Sequence, residues 1–357
     1  MTTITATTTT TTATATITAT TAVTITAIST TVLTTINMST TTTITIRGSS
    51  NSSTNITANS KWIQNGITVA GGNERGDELY QLGFPESIYI DDDDRRIYIT
   101  DYKNHRIVEW EYSSKSSRVV AGGNREGNRS DQLSLPRDAI VDKQNDSLII
   151  CDRGNKRVVR WLRRNGTNGQ TIISNIACNS LTMDNNGDLY VSDFVKDEIR
   201  RWKIGDTNGI IVAGGNGQGN HLNQLNGSTY IFVDEDHSIY ISDTQNHRIV
   251  KWTKNAKDGI VIAGGHGPGK NLTQLNHPSG LLVDQSGSVY VSDCYNQRIM
   301  RWLNGSKEGS IVVGGNGQGA QSNKFAFPRD LSFDQEHNLF VVDQFNDRVQ
   351  KFLIDPD

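Results

Sequence analysis

The chain has 357 residues, of which 35% are hydrophobic, and a formal charge of −3. That is enough chain for a large core, and it gives no global electrostatic case for nucleic acid or an anionic membrane. Three cysteines, Cys151, Cys178 and Cys294, show no CxxC spacing, which excludes a zinc pattern and a disulfide-stapled miniprotein and leaves open whether Cys151 and Cys178 pair.

Residues 1–46 contain 25 threonines and no charged side chain before Arg47. They hold no apolar run near the roughly 20 residues of a membrane helix, and they lack the basic start and compact apolar core of a signal peptide. Threonine hydroxyls are too hydrated to build a core, so residues 1–60 are expected to be a disordered Thr/Ser-rich segment ending in a flexible linker. An O-glycosylated spacer is the second reading.

From residue 61 a repeat takes over. Aspartates at positions 101, 152, 193, 243, 293 and 343 are spaced by 51, 41, 50, 50 and 50 residues, the period of one supersecondary unit per repeat. Each closes a short β-rich run such as "RIYITD" or "SVYVSD", preceded by another such run across a few polar residues. After the aspartate, a D-x-x-N turn leads to a third run, as in "RIVKW", and a fourth, as in "IVIAGG". Four antiparallel strands repeated six times predict an all-β fold, a six-bladed β-propeller spanning residues 61–357. The last repeat lacks a fourth strand and residues 61–72 supply an unpartnered one. Residues 67–70 are therefore expected to pair with 348–353 and close the ring.

The string "HPSGLLVDQSGSVYVSDCYNQRIMRW" and its five counterparts resemble the NHL-repeat family. The resemblance covers residues 62–353 and implies the same propeller fold. Its recurring residues are Asp101, Asn104 and Arg106, Asp152, Asn155 and Arg157, Asp243, Asn246 and Arg248, Asp293, Asn296 and Arg298, and Asp343, Asn346 and Arg348. An Arg–carboxylate pair flanking one turn would brace it. Trp110, Trp161, Trp202, Trp252 and Trp302, with Phe352 as the sixth, are expected to wedge between blades. The third repeat departs, with Lys196 for Asn and Glu198 for Arg. It also lacks the long glycine-rich connection, which predicts a low upper edge there.

Residues starting the innermost strands should ring the channel mouth. Among them Glu86, Asp138, Asn179 and Asp330 offer oxygen ligands of the kind calcium prefers, and six-bladed lactonases resemble this arrangement. Arg137 and Arg329 stand beside them, which favours a salt-bridged rim without a cofactor over calcium. His105 and His247 occupy a position that elsewhere holds Lys156, Gln297 and Asp347, so they read as solvent-facing. No catalytic residues stand out. The "GGNGQG" loops follow strands and open no helix, so they read as turns rather than phosphate sites.

Acceptor sequons at Asn128, Asn145, Asn165, Asn226, Asn271 and Asn304 fall in predicted turns and lean toward an extracellular or cell-surface glycoprotein, with the cytoplasm as the alternative. The leading expectation is a monomeric, non-enzymatic binding module whose upper loop face takes a protein or glycan partner. The competing ones are a calcium- or zinc-dependent hydrolase, lactonase or lyase at the channel, and a substrate- or RNA-recruiting propeller like those of tripartite-motif ubiquitin ligases, without the RING.

Overall fold

The structure, a computed structural model, describes residues 23–29, 32–38, 56–112, 114–203 and 205–355. The disorder expected for residues 1–60 falls mostly outside these. Within that segment Val23–Ser29 and Val32–Met38 pair as an antiparallel hairpin, Val23 opposite Met38. Residues 56–60, read from sequence as the end of a linker, form a turn on the propeller. Arg301 donates to the carbonyls of Thr57, Ala58 and Ser60 at 2.8–3.2 Å.

Six four-stranded antiparallel sheets follow. Blade 1 spans residues 85–122, blade 2 139–174, blade 3 178–214, blade 4 228–264, blade 5 278–314, and blade 6 328–352 plus Ile67–Gly71. The innermost strands contact one another in the ring order 1-2-3-4-5-6-1. The expected clasp forms: Arg348 lies opposite Gly71, Val349 opposite Ala70 and Lys351 opposite Ile67. A further antiparallel bridge joins Trp62 to Ile354. The clasp covers the edge of Arg348–Phe352 that would otherwise stand bare.

The alternating strand pattern puts one apolar face of each blade against its neighbour. Trp161 of blade 2 is buried with Tyr98 and Ile107 of blade 1. Trp252 of blade 4 packs on Tyr190 and Ile199 of blade 3, and Phe352 of blade 6 on Tyr290 of blade 5. Trp202 of blade 3 is the weak member, only half-buried. Gly259 is there for the same packing, since a Cβ at that position would come within 2.7 Å of the Trp252 ring.

The Asp–Asn–Arg motif does more than brace a hairpin. Asp101 accepts from Arg106 Nε at 2.6 Å and from Asn104 at 2.8 Å, while its other oxygen accepts the N–H of Gly83 at 2.7 Å. Asn104 and Arg106 also donate to the carbonyls of Gly76 and Asp77. The triad thus staples the incoming long loop to its own blade, and Asp152, Asp243, Asp293 and Asp343 repeat the arrangement. In blade 3 the connection is only residues 175–177, so there is no loop to hold. There Asp193 accepts the N–H groups of Val195 and Lys196, and Glu198 pairs with Arg200 at 2.6 Å. Missing loop and missing motif are one structural fact.

Candidate functional site at the channel mouth

Each long loop is pinned, which makes the upper face rigid. Leu82, Leu133, Leu225, Leu275 and Phe325 are fully buried and each bridges to the start of its own loop. A second fastening joins blades. The residue after the D-x-x-N turn, in left-handed backbone, accepts an N–H from the chain just ahead of the next blade's innermost strand. His105 Nδ1 takes Leu135, Asp197 takes Gly227, His247 Nδ1 takes His277, Gln297 takes Phe327 and Asp347 takes Phe84, at 2.6–3.2 Å. So His105 and His247 are inter-blade clasps rather than free surface. The sequence reading missed this because Lys156 shares the position and cannot accept. At that junction, between blades 2 and 3, the Cys151–Cys178 disulfide joins the neighbouring strands instead. Cys294 is a buried free thiol whose pKa burial pushes up to about 12.

Burial and the nearby His277 hold the His247 pKa below its ordinary 6.5. Protonation at Nδ1 would break the clasp. With the folded pKa below the unfolded one, this contribution is full above pH 6.5 and is lost as pH falls through the folded value. His247→Gln, which places at this position the residue that blade 5 carries as Gln297, is expected to keep the contact and lessen the fall in Tm between about pH 7 and about pH 5. A thermal-melt pH series with an unchanged slope would contradict it.

At the axis, the rim residues lie where the sequence placed them, and a second ring joins them. Tyr102, Arg153, Phe194, Thr244, Cys294 and Gln344 each follow a repeat aspartate, and they reach back to the rim. Arg137 lies over the Tyr102 ring at 4.6 Å and Arg153 over Phe194 at 4.4 Å. Arg153 also donates to Asn179, and Thr244 bonds Thr229 at 2.6 Å. Only the constant offset from the aspartate signals this ring in the sequence.

Glu86 is the centre of the mouth. One carboxylate oxygen accepts from Arg137 at 2.6 Å and Gln344 at 2.9 Å, the other from Arg329 at 2.9–3.0 Å. Burial pushes its carboxyl up, but Arg329 and Arg137 outweigh that and hold it below the usual range. Below it the channel is crossed: Tyr230 of blade 4 donates its hydroxyl to the Glu86 carbonyl of the opposite blade 1 at 2.6 Å.

Asp138 and Asp330 are staples between innermost strands. Asp138 accepts from the Leu181 N–H and the Ser180 hydroxyl, both at 2.9 Å, and from its neighbour Ala139. Asp330 accepts the Ile88 N–H at 2.9 Å and that of Leu331. Burial raises both carboxyl pKa values, and each stands in the other's field. Asn179 donates to the Thr229 carbonyl at 2.8 Å. Among the described residues, no group of three or more His, Cys, Asp or Glu side chains could hold a metal ion.

Around the mouth runs an arc of rings from blade 4 to blade 1. His247 meets His277 at 4.6 Å, His277 stacks on Tyr295 at 4.2 Å, and Tyr295 meets Phe327 at 5.2 Å. Phe327 meets Phe345 at 4.5 Å, Phe345 meets Phe84 at 5.2 Å, and Arg75 caps Phe84 at 3.6 Å. Tyr295 and Phe345 are 51% and 45% exposed. Phe84, His277 and Phe327 have φ of 51°, 52° and 59°, a backbone that costs bulky side chains about 1–3 kcal/mol each and persists only where surroundings impose it. Of the glycan acceptors, Asn128, Asn145, Asn165, Asn271 and Asn304 are exposed, whereas Asn226 is half-buried beside a fully buried Ser228. No described helix is long and apolar enough to cross a membrane.

The family model described as SGL, SMP-30/Gluconolactonase/LRE-like region, matches residues 84–315. No curated protein sequence matches. Among solved structures, an auxiliary nutrient binding protein from Bacteroides thetaiotaomicron is 17% identical with a TM-score of 0.62, over 83% of this chain and 77% of that one. A gluconolactonase from Xanthomonas campestris is 15% identical with a TM-score of 0.57, over 78% and 89%. Virginiamycin B lyase from Staphylococcus aureus is 12% identical with a TM-score of 0.52, over 78% and 98%. At these identities the likeness is one of fold.

Proposed function

The chain belongs to the SMP-30/gluconolactonase/LRE-like family, and on that premise we propose that it is a non-enzymatic binding propeller whose upper loop face takes a glycan. The aromatic arc carries this reading. Two exposed rings, Tyr295 and Phe345, held against half-buried Phe84, His277 and Phe327 at strained backbone positions, suit the flat apolar faces of sugar rings. The fold likeness to a nutrient binding protein supports it. The NHL reading of the repeat is kept as part of this proposal, and the Cys151–Cys178 disulfide supports an extracellular or cell-surface setting. Glycan-array binding by the full chain is expected to drop about tenfold in Tyr295→Ala and Phe345→Ala, the loss of one or two well-packed aromatic contacts. Array binding that is absent, or equal in the variants, would defeat it.

The competing reading is a metal-dependent lactonase or lyase at the channel, which the family and the gluconolactonase and lyase likenesses support. The residues present do not fit the metal. Both Glu86 oxygens are taken by Arg137, Arg329 and Gln344. Asp138 and Asp330 are turned to backbone N–H groups of adjacent blades. Three arginines at the mouth would also repel a cation.

A further inference from the structure

Arg137, Arg153 and Arg329 share the mouth with one strongly ionised carboxylate, that of Glu86. The fixed charge is therefore unbalanced toward cation, because Asp138 and Asp330 lie buried, turned to neighbouring backbone, with their ionisation disfavoured. Glu86 is divided between Arg137 and Arg329, so Arg153 has no carboxylate of its own; its side chain meets Asn179 and the Phe194 face. Arg137 keeps a buried Nε without a hydrogen-bond partner, a donor whose desolvation costs about 1–3 kcal/mol when left unmade. Burial and the neighbouring Arg137 lower the Arg153 pKa to about 10, a strain that an incoming anion would relieve. Arg153 borders the low edge of blade 3 through Asn179 and Phe194, where the connection is three residues long and Val195 stands 72% exposed. Tyr230 bonds across the axis to the Glu86 carbonyl, so the channel is bridged there.

We propose that this mouth binds a small carboxylate-bearing ligand between Arg153 and Arg137, beside the Glu86 ion pair. The internal Glu86 shows the chemistry the site favours: a carboxylate with one oxygen held by Nε and an Nη of Arg329 and the other by an Nη of Arg137. Tyr102 and Phe194 back the two arginines and fix their planes. The proposal rests on the reading of the upper face as a binding surface, and it adds the chemistry of the group at the axis.

The test is calorimetric titration of the full chain with sodium succinate and sodium citrate, against inorganic phosphate and against sodium chloride at matched ionic strength. Carboxylates are expected to bind better than phosphate and to raise Tm. Arg153→Gln should weaken them about tenfold, as expected for losing one charge-assisted contact. Arg137→Lys, which keeps the charge and removes the fork, should erase the preference over phosphate while the melt stays cooperative. Phosphate binding as tightly as citrate, or carboxylate binding unchanged in Arg153→Gln, would overturn the proposal. Loss of carboxylate binding with the Tyr295 and Phe345 dependence of glycan binding intact would count against this site alone, whereas loss of both would count against the binding face itself.

Discussion

Deleting residues 61–71 is expected to abolish the single cooperative melt of the propeller. The strand Ile67–Gly71 is the fourth strand of blade 6, and without it Arg348–Phe352 becomes a bare edge. The deletion also removes two buried side chains. Trp62 is 3% exposed, stacks on Phe333 at 5.7 Å and donates its indole N–H to the His337 carbonyl at 3.0 Å. Ala70 is 2% exposed in the cluster shared by blades 6 and 1. Truncating one buried Trp costs about 3–5 kcal/mol by itself, a large share of the roughly 5–15 kcal/mol that holds a domain together. Differential scanning calorimetry should therefore show a broad, low transition and concentration-dependent aggregation. A deletion variant melting cooperatively within about 2 °C of the parent would mean that the ring is not fastened there.

The second large effect is expected at Glu86. Glu86→Gln leaves Arg137 and Arg329 facing each other with no carboxylate between them, and breaking a buried ion pair from one side costs about 3–5 kcal/mol. The pH dependence follows from the direction of the shift. The folded carboxyl pKa lies below 4.5, so the stabilisation is complete above pH 4.5 and is lost as pH falls through the folded value. Denaturant melts should accordingly separate parent and variant widely near neutrality and bring them together in acid. A constant gap from neutrality to acid would show that Glu86 acts through packing and not through its charge.

These two positions also mark how much the sequence disclosed. The ring and its closure were legible because the period near 50 residues and the strand–turn–strand pattern are local, and the leftover strand at 61–72 had one place to go. Glu86, Arg137 and Arg329 were legible as rim residues because they start innermost strands. Their division of labour was not: Arg137 and Arg329 are each followed by an aspartate, yet both reach past it to Glu86, and Asp138 and Asp330 turn to backbone on adjacent blades. Only the curvature of the ring decides which neighbour is nearer. Arg153, Tyr102 and Phe194 escaped notice for a related reason. They sit in a turn whose residue types vary freely, and only the fold aims them at one axis. The aromatic arc was hidden in the same way, since Tyr295 and Phe345 lie 50 residues apart and meet through Phe327.

The mouth at the axis is organised by arginine and one carboxylate, so titration of the metal-stripped full chain with calcium and with zinc, parent beside Glu86→Gln, is the most direct measurement. The expected result is no binding event that depends on Glu86 in either calcium or zinc. One ion bound per chain in the parent and lost in Glu86→Gln would contradict it, and would return the axis to a metal-dependent enzyme.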